Sequence, residues 1–351
     1  MMIDSLQKSD TVDDKSPYDL HDIDMLGVLS STQSVVEVGE HVWINEDCVA
    51  ELAQQWLQQD STDTTVVPPP TAQAYDRYHF FDGTERTVNW ILALDAMNFC
   101  FWSEKDQPRW RIEYKGELLN GYLAEAAALT RAVEEDIPLW DAHYLSTISD
   151  EALAAIFRGE QTIPLFEQRL QNIRQVGRVL LERYDGQFTN AIEQADGSAV
   201  KLATLLAKHF PSFNDVALYR THTVRFLKRA QICVADLHSS FSGQSWGAFP
   251  DIDQLTVFAD YKLPQVLRQY GILEYHPSLA QRIDNQEIIE AGSEEEVELR
   301  AATIWACELL RRAMTHEGYP LTAAQLDLRL WSLGQHSTAM KPYHRTPTIF
   351  Y

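Results

Sequence analysis

The sequence has no hydrophobic run long enough to form a membrane-spanning helix. Such a helix needs about 18 to 20 consecutive apolar residues, and no stretch of the 351-residue chain reaches that length. The chain begins with a polar, acidic segment, which has neither the basic residues nor the apolar stretch of a secretory signal peptide. We therefore expect a cytoplasmic protein with no membrane partner.

Cysteine and histidine do not occur at the spacings that hold a metal ion. The four cysteines are widely separated, no CxxC pair is present, and the eleven histidines include no HExxH segment. A thiol among apolar neighbours behaves as a small hydrophobic group. The sequence therefore predicts reduced thiols and no bound metal, with a nucleophilic cysteine as the less favoured alternative.

Phosphate-cradling glycine motifs are missing as well. The chain contains no P-loop and no GxGxxG dinucleotide fingerprint. We expect no cofactor, and hydrolases built on a serine nucleophile elbow are disfavoured.

Positive charge is scarce. Acidic residues outnumber Lys and Arg by 51 to 29, which gives a formal net charge of -22. A protein that grips a nucleic-acid backbone needs a positive surface to displace counterions. The balance therefore argues against a nucleic-acid polymer as partner, whereas a single nucleotide requires only a few local cations. The oligomeric state stays open.

The arrangement of polar and apolar segments predicts a mainly α protein. Residues 1–20 are low in apolar content and predict a disordered tail. Three consecutive prolines predict a loop over 60–71. The rest, 21–351, is expected to form one compact, mainly helical catalytic unit.

Capping residues give several helix boundaries. Ser149 and Ser198 precede apolar-periodic segments, and Ser293 with Glu296 forms a capping box. The alternation of Trp110, Ile112 and Tyr114 with polar residues predicts a short strand or hairpin arm, the small β element. The predicted helices run from Ser149 to Phe157, from Pro164 towards Tyr184, from Ser198 to before Pro211, over 222–238, and from Ser293 to about Met314.

Two polar residues interrupt the apolar segment 90–102. Asp95 and Asn98 are three residues apart, so they share a face if the segment is helical. A buried carboxylate is costly unless it is paired or hydrogen-bonded. The favoured interpretation is a structural ion pair or a cap for a neighbouring loop, and the alternative is a polar group at the edge of a pocket.

A third acidic residue continues an apolar helical stripe. Glu308 follows Ile304 by four residues and Trp305 by three. A carboxylate beside an indole could bind an amine, but a salt bridge to a neighbouring arginine is an equally good interpretation.

Asp260 lies at a junction between predicted elements. It follows an apolar stretch, and Pro264 can begin the next helix. A carboxylate at such a junction can project into a cleft. Upstream, Lys228 and Arg229 share a predicted helix with Asp236, although charged helix surfaces without any function are more common.

Segments of the chain resemble the queuosine salvage family, the queuosine 5′-phosphate N-glycosylase/hydrolases. They occur in one order from about residue 34 to the end, and several aromatic-rich blocks together are more specific than one short motif. The matching segments are LDAMNFCFW (94–102), GYLAEAAALTRAVEEDIPLWD (121–141), RFLKRAQICVADL (225–237), FADYKLPQVLRQYGIL (258–273), RAATIWACELL (300–310) and the C-terminal PYHRTPTIFY.

The resemblance implies a fold related to helical DNA glycosylases. It also implies hydrolysis of queuosine 5′-monophosphate to queuine and ribose 5-phosphate without a metal, as part of queuine salvage for tRNA modification. Asp260 of the FADY segment resembles the catalytic carboxylate. The family usually has arginine directly after FADY, where this chain has Lys262.

Further residues resemble substrate-binding positions of the family. The base-binding positions are Asp236 of the VADL segment, with Val234 and Ala235 beside it, and Glu308 beside Trp305. His79 resembles a family histidine ahead of the LDAMNF segment, and the phosphate is expected near Lys228, His344 or Arg345.

The chemistry fits an acidic, aromatic-rich protein. Cleavage of a nucleoside C–N bond builds an oxocarbenium-like sugar, which an anionic carboxylate stabilises or attacks. Queuine is a 7-deazaguanine and lacks the N7 that assists departure of ordinary purines. It also carries a protonated secondary amine, which suits a carboxylate-lined pocket. The alternatives are a non-catalytic queuine carrier, a polynucleotide glycosylase and a helical scaffold without a ligand.

Overall fold

Helices make up most of the computed structural model, which describes residues 18, 24–62, 77–336 and 340–351. The mainly α class is confirmed, whereas the relation to helical DNA glycosylases stays a prediction. The α-helices are α1 (Val28–Val38), α2 (Glu46–Thr62), α3 (Glu85–Asp95), α4 (Gly121–Glu134), α5 (Ala142–Thr147), α6 (Asp150–Ile156), α7 (Phe166–Arg183), α8 (Thr189–Gln194), α9 (Ala199–His209), α10 (Lys228–Ser240), α11 (Lys262–Gln269), α12 (Pro277–Asp284), α13 (Glu294–His316) and α14 (Ala323–His336).

The β structure is limited to short antiparallel pairs in the described part of the chain. Strands β2 (Arg111–Tyr114) and β3 (Glu117–Asn120) form the hairpin expected around Ile112, with Ile112 opposite Leu119. Strands β4 (Val216–Tyr219) and β5 (His222–Arg225) form a second hairpin. Strands β1 (Val42–Ile44) and β6 (Leu273–Tyr275) join distant parts of the sequence.

Side-chain caps set the helix starts that the sequence predicts. The hydroxyl groups of Ser149, Ser198 and Ser293 accept hydrogen bonds from the backbone N–H groups of Ala152, Lys201 and Glu296. Each bond satisfies a donor that the first turn of a helix leaves unpaired. Local sequence is sufficient for these boundaries.

Two predicted helix boundaries are wrong. Residues 222–225 form strand β5 instead of a helix, because their β-branched residues pair with β4 across a turn in which Arg220 has a φ of 54°. Helix α10 therefore begins only at Lys228. The helix expected from Pro164 begins at Phe166, since Leu165 before it takes a left-handed φ of 51°.

Helix α13 lies at the centre of the core. It packs against α1, α2, α11 and α14, and most of its residues are buried. Arg300 on this helix makes a bidentate ion pair with Asp215, at 2.9 and 2.6 Å. Its Nε also donates to the carbonyl of Ala259 at 3.2 Å. The buried guanidinium of Arg300 therefore joins α13 to the residue before β4 and to the segment before α11.

A glycine allows a close contact between two helices. Helix α5 packs along α7, and a Cβ atom on Gly177 would lie 2.3 Å from the backbone nitrogen of Ser146. Any larger residue would force the two helices apart.

Most of the buried apolar residues between Leu26 and Leu330 form one continuous cluster, and a second, smaller cluster consists of Phe99, Cys100, Trp102, Tyr261 and Tyr351. Apart from Tyr18, the predicted tail over 1–20 lies outside the described residues. So does the predicted loop, except for residues 60–62, which belong to the end of α2. In the described part of the chain, no helix combines the length and apolar character needed to cross a bilayer.

Candidate functional site

A cavity of about 320 Å³ lies among α4, α10, α11, α14, the β2–β3 hairpin and the C-terminal segment. Its volume is at the lower end of the range of roughly 300 to 1,000 Å³ that is usual for small-molecule sites. Aromatic side chains form much of its wall; they include Phe99, Phe101, Trp102, Phe258, Tyr261, Trp331 and Tyr351. The same wall carries three carboxyl groups, those of Asp236, Asp260 and Asp327.

Asp260 lines the cavity at the start of α11. Its Oδ1 atom accepts hydrogen bonds from the backbone N–H groups of Lys262 and Leu263, at 2.7 and 2.9 Å. Burial raises the pKa of Asp260, while the charge of Lys228 and these two N–H groups oppose the rise. The carboxyl group is therefore fixed in position at a helix N-terminus, where a negative charge is favoured.

Among the charged groups around Asp260, Lys228 has the largest electrostatic effect on the pKa of its carboxyl group. It begins α10, where its backbone N–H donates to Asp215 at 3.1 Å. Its ammonium donates to the carbonyl of Asn98 at 3.3 Å. Burial lowers the pKa of Lys228, and the charge of Asp260 works against that change. Lys228, which the sequence predicts as a substrate-binding residue, lies on the cavity wall.

Asn98 reaches the cavity from a loop that two buried arginines hold. Helix α3 ends at Asp95, so Asp95 and Asn98 do not share a helical face. The Asn98 amide nevertheless donates to Asp95 at 3.4 Å. Arg229 donates to the carbonyl groups of Asp95, Ala96 and Ser212. Arg169 donates to those of Met97, Phe99 and Cys100.

A chain of hydrogen bonds connects three elements at Asp236. The Tyr122 hydroxyl on α4 lies 2.9 Å from Nε2 of His79 and donates to Asp236 at 3.3 Å. Burial raises the pKa of Asp236 to about 7, against the effects of Tyr122 and Lys228. Burial lowers the pKa of His79 to about 4. His79 and Asp236, both predicted substrate-binding residues, thus lie together on the cavity wall with Tyr122 between them, and Ala235 also lines it.

Asp327 is a further residue of the cavity wall, and no sequence motif predicts it there. It lies on α14, and its Oδ1 accepts the N–H of Phe258 at 2.9 Å. Burial and the neighbouring charge of Asp260 raise its pKa well above the usual range. The sequence feature that could have indicated Asp327 is its position beside Leu326, on the apolar side of a helix.

Two further cationic side chains form part of the cavity wall. Arg109 and Lys262 both line it, and both lie against Tyr343. The guanidinium of Arg109 donates to the Tyr343 hydroxyl at 3.2 Å, and the Lys262 ammonium lies 5.1 Å from the centre of the tyrosine ring. Burial lowers the pKa of Lys262, and the charge of Asp260 opposes this.

Several other predicted positions lie away from this wall over the residues that the structure describes. Glu308 accepts hydrogen bonds from Arg311 and Arg312 at 2.8 to 2.9 Å, which is the salt bridge that the sequence left as an alternative. Trp305 is buried, with Tyr18 packed edge-on at 5.5 Å. Val234 is buried in the core on the same helix as Asp236.

His344 and Arg345 were predicted to lie near the phosphate. Within the described ranges, neither residue lines the cavity. His344 is buried 3.2 Å from the Tyr351 hydroxyl, and burial lowers its pKa to about 3. The guanidinium of Arg345 lies 5.7 Å from the ring of Trp102.

In the described part of the chain, one group of side chains away from the cavity brings possible metal ligands close together. Donor atoms of His41, Glu294 and Glu298 lie within 4.8 Å of one another. Glu298 already accepts hydrogen bonds from the N–H groups of His41 and Val42 and from the Tyr219 hydroxyl. That pattern explains the position of Glu298 without an ion, and the expectation that the protein binds no metal stays a prediction.

Cysteine and serine nucleophiles receive little support from the geometry. The four cysteines are unpaired, and burial raises the pKa of the Cys100 thiol to about 11. The segment GQSWG (243–247) has the GxSxG pattern of a nucleophile elbow, which the sequence analysis disfavoured. It follows helix α10 and enters a 3-10 turn at Ser245, instead of joining a strand to a helix.

Fold and site together define a helical protein whose carboxylate-rich, aromatic cavity suits a small, flat, polar ligand. A family model described as queuosine salvage protein matches residues 78–351. A Sphaerobacter thermophilus protein named queuosine 5′-phosphate N-glycosylase/hydrolase is 51 % identical over 329 residues, covering 93 % of this chain and 98 % of that protein. A Bos taurus protein of the same name is 36 % identical over 346 residues, covering 93 % and 100 %. The chain belongs to the queuosine salvage protein family.

Proposed function

We propose that this protein hydrolyses the N-glycosidic bond of queuosine 5′-phosphate and releases queuine for salvage. The observation that carries the proposal is Asp260, a carboxylate fixed by two backbone N–H groups on the wall of an aromatic cavity. Family membership supplies the substrate class. The work is assigned to a single unit over residues 21–351, in the cytoplasm and without a metal or cofactor.

Asp260 is the proposed catalytic group. As the base departs, positive charge develops on the anomeric carbon and ring oxygen of the ribose. A preorganised anion near that carbon stabilises the charge without having to reorient during the reaction. Its hydrogen bonds to Lys262 and Leu263 engage Oδ1, so Oδ2 is the oxygen assigned to the sugar or to the attacking water.

The departing base requires a different kind of help. A 7-deazaguanine has no N7 to protonate, so negative charge on the leaving base must be offset at its remaining polar atoms. Lys228 places a buried ammonium on the cavity wall. Asp236 and Asp327 add carboxyl groups that accept N–H donors of the base or donate when protonated. We assign base recognition to these residues with His79 and Ala235, and we do not assign it to Val234, Trp305 or Glu308.

The 5′-phosphate is assigned to Lys262 and Arg109. Both line the cavity beside Tyr343, and two cations are sufficient for one phosphate group. Lys262 is the residue at which this chain differs from the arginine usual in the family, and a lysine binds a phosphate as a point charge instead of a bidentate fork.

An isolated nucleotide fits the protein better than an RNA polymer. The formal charge of -22 repels a polyanion, while the local cations lie inside or beside the cavity. Binding energy from the phosphate, remote from the reacting bond, should make the nucleotide a better substrate than the nucleoside.

The test offers queuosine, queuosine 5′-phosphate and intact tRNA at equal concentration and measures the queuine released. Release chiefly from the nucleotide, with stoichiometric ribose 5-phosphate, is the expected result. Tight binding without release would instead identify a carrier. Release from intact tRNA at the rate of the nucleotide would overturn the proposal in favour of a polynucleotide glycosylase.

A further inference from the structure

Tyr122 occupies a position in the cavity that the proposed chemistry does not use. It lies in the first turn of α4 and lines the cavity. Its hydroxyl is 2.9 Å from Nε2 of His79 and 3.3 Å from Oδ2 of Asp236. His79 comes from the segment before α3, and Asp236 comes from α10. Three elements that are distant in sequence therefore meet through one phenolic oxygen.

The direction of the two hydrogen bonds follows from what each group can donate. An ionised Asp236 only accepts, so the hydrogen of the Tyr122 hydroxyl points to it. The oxygen of Tyr122 is then left to accept, and His79 serves it as the tautomer with hydrogen on Nε2. Burial lowers the pKa of His79 to about 4, so the ring is neutral and keeps this role at physiological pH. The chain therefore runs from His79 through Tyr122 to Asp236.

Asp236 needs such support because its surroundings disfavour its charge. Burial raises its pKa to about 7, and the Tyr122 hydrogen bond is the largest effect in the opposite direction, followed by Lys228. The charge of Asp236 in turn raises the pKa values of Asp95 on α3, Asp327 on α14 and Cys233 on its own helix. The titratable groups around Asp236 are Tyr122, Asp95, Asp327, Lys228, Cys233 and, through Tyr122, His79.

We propose that Tyr122 is a positioning residue for base recognition: held by His79, its hydroxyl orients the carboxylate of Asp236, so that Asp236 accepts N–H donors of the bound base. The inference rests on the proposed function for the identity of that base. The donors are either the ring N–H and exocyclic amine of the 7-deazaguanine or the ammonium of the queuine side arm. Both present positively polarised N–H groups to a carboxylate.

The pH dependence follows from the sign of these effects. An ionised Asp236 accepts N–H donors more strongly than a protonated one, so affinity for the base falls as the pH drops through about 7. Tyr122→Phe removes the hydrogen bond that lowers the pKa of Asp236, and the midpoint of this fall moves to higher pH. At still higher pH Asp236 is ionised even without Tyr122, so the loss of affinity becomes smaller. A tyrosine with only a packing role would weaken binding by the same factor at every pH.

The experiment measures binding of free queuine and of 7-deazaguanine by calorimetry between about pH 6 and about pH 9. Binding of the free base avoids the titration of Asp260, which is assigned to the sugar. For Tyr122→Phe we expect a roughly tenfold loss at pH 7 and a midpoint at higher pH. Loss with both bases places the ring edge at Asp236, and loss with queuine alone places the side-arm amine there.

A matched control comes from a second tyrosine–histidine pair. The Tyr184 hydroxyl lies 2.6 Å from Nδ1 of His209, and neither residue lines the cavity in the described chain. Tyr184→Phe should leave the binding profile unchanged. If Tyr122→Phe does not fold, His79→Leu tests the same chain, since it removes the donor to Tyr122.

An equal loss for Tyr122→Phe at every pH, or no loss, would overturn the inference. Its failure is distinguishable from failure of the proposed function. A protein that binds the base with this pH profile but releases none from the nucleotide refutes the hydrolase and leaves the role of Tyr122 intact. If the protein releases queuine but Tyr122→Phe leaves the pH profile of binding unchanged, the hydrolase function stands and the role of Tyr122 is refuted.

Discussion

Replacing Asp260 with asparagine removes the charge of the proposed catalytic group and little else. The two side chains are nearly the same size. An amide oxygen can still accept the N–H groups of Lys262 and Leu263, which lie at 2.7 and 2.9 Å from Oδ1 of Asp260. The substitution therefore separates the effect of charge from that of shape.

The expected loss of activity is large. Removal of one preorganised electrostatic group from an active site typically reduces kcat by about 100-fold to 1,000-fold, or about 2.7 to 4 kcal/mol. We expect a loss of at least about 100-fold for Asp260→Asn, seen in kcat more than in KM, since the charge acts mainly as the sugar cation develops.

The stability of Asp260→Asn should be unchanged or higher than that of wild type, although its activity falls. Burial raises the pKa of Asp260 in the folded protein, so the charged form is less favourable there than in the unfolded chain. Stability from such a group is fully present below the unfolded pKa and is lost as the pH rises through the folded pKa. At neutral pH the neutral asparagine should therefore unfold at the same temperature as wild type or higher.

Asp251 offers a matched control outside the cavity. It accepts hydrogen bonds from the Ser198 hydroxyl at 2.6 Å and the N–H of Ala199 at 2.7 Å. Burial raises its pKa, but these hydrogen bonds outweigh burial and leave the pKa below its ordinary value. Asp251→Asn should thus lose stability at neutral pH and keep its activity.

The assay is single-turnover release of queuine from queuosine 5′-phosphate, together with thermal unfolding of each variant. An Asp260→Asn variant that turns over near the wild-type rate would refute the catalytic assignment. So would an Asp251→Asn variant that loses as much activity while remaining folded.

Three further outcomes are expected. Lys262→Met should raise KM roughly tenfold for the nucleotide and much less for the nucleoside, since a charge-assisted hydrogen bond is worth about 1.5 to 3 kcal/mol. Steady-state kinetics on both substrates test this, and an equal rise in KM for the two would contradict it. Glu308→Gln should leave queuine binding within about twofold of wild type and lower the free energy of unfolding by about 1 kcal/mol, because the residue pairs with two arginines outside the cavity. Calorimetry measures the binding and urea unfolding measures the stability. Selective loss of queuine binding would show that Glu308 belongs to the site. Arg300→Met should destabilise the protein by about 3 to 5 kcal/mol, because it leaves the buried carboxylate of Asp215 unpaired; a midpoint of urea unfolding close to wild type would show that the pair is dispensable.

Local sequence was sufficient where the determining interaction lies within one turn of the chain. The caps at Ser149, Ser198 and Ser293 were predicted because each hydroxyl bonds an N–H three residues ahead. The β2–β3 hairpin was predicted from alternation around Ile112. Aromatic segments such as FADY gave the family and, through it, the place of Asp260.

Sequence patterns were less informative where the determining interaction is distant. Residues 222–225 were expected to be helical, but pairing with β4 makes them a strand. Asp95 and Asn98 were expected on one helical face, but Arg169 and Arg229 draw the carbonyl groups of 95–100 into a turn that ends α3 at Asp95.

The membership of the cavity was decided by tertiary structure alone. Glu308 and Asp327 both interrupt apolar helical stripes, yet Glu308 binds arginines on its own helix and Asp327 lines the cavity beside Asp260. Periodicity tells which residues of a helix are buried, but it does not tell against which element. The sequence by itself determined several helix starts and the family, and it predicted Asp260 as the catalytic group. Only packing decided that His79, Tyr122 and Asp236 meet, because their hydrogen bonds join residues that are 43 and 114 positions apart.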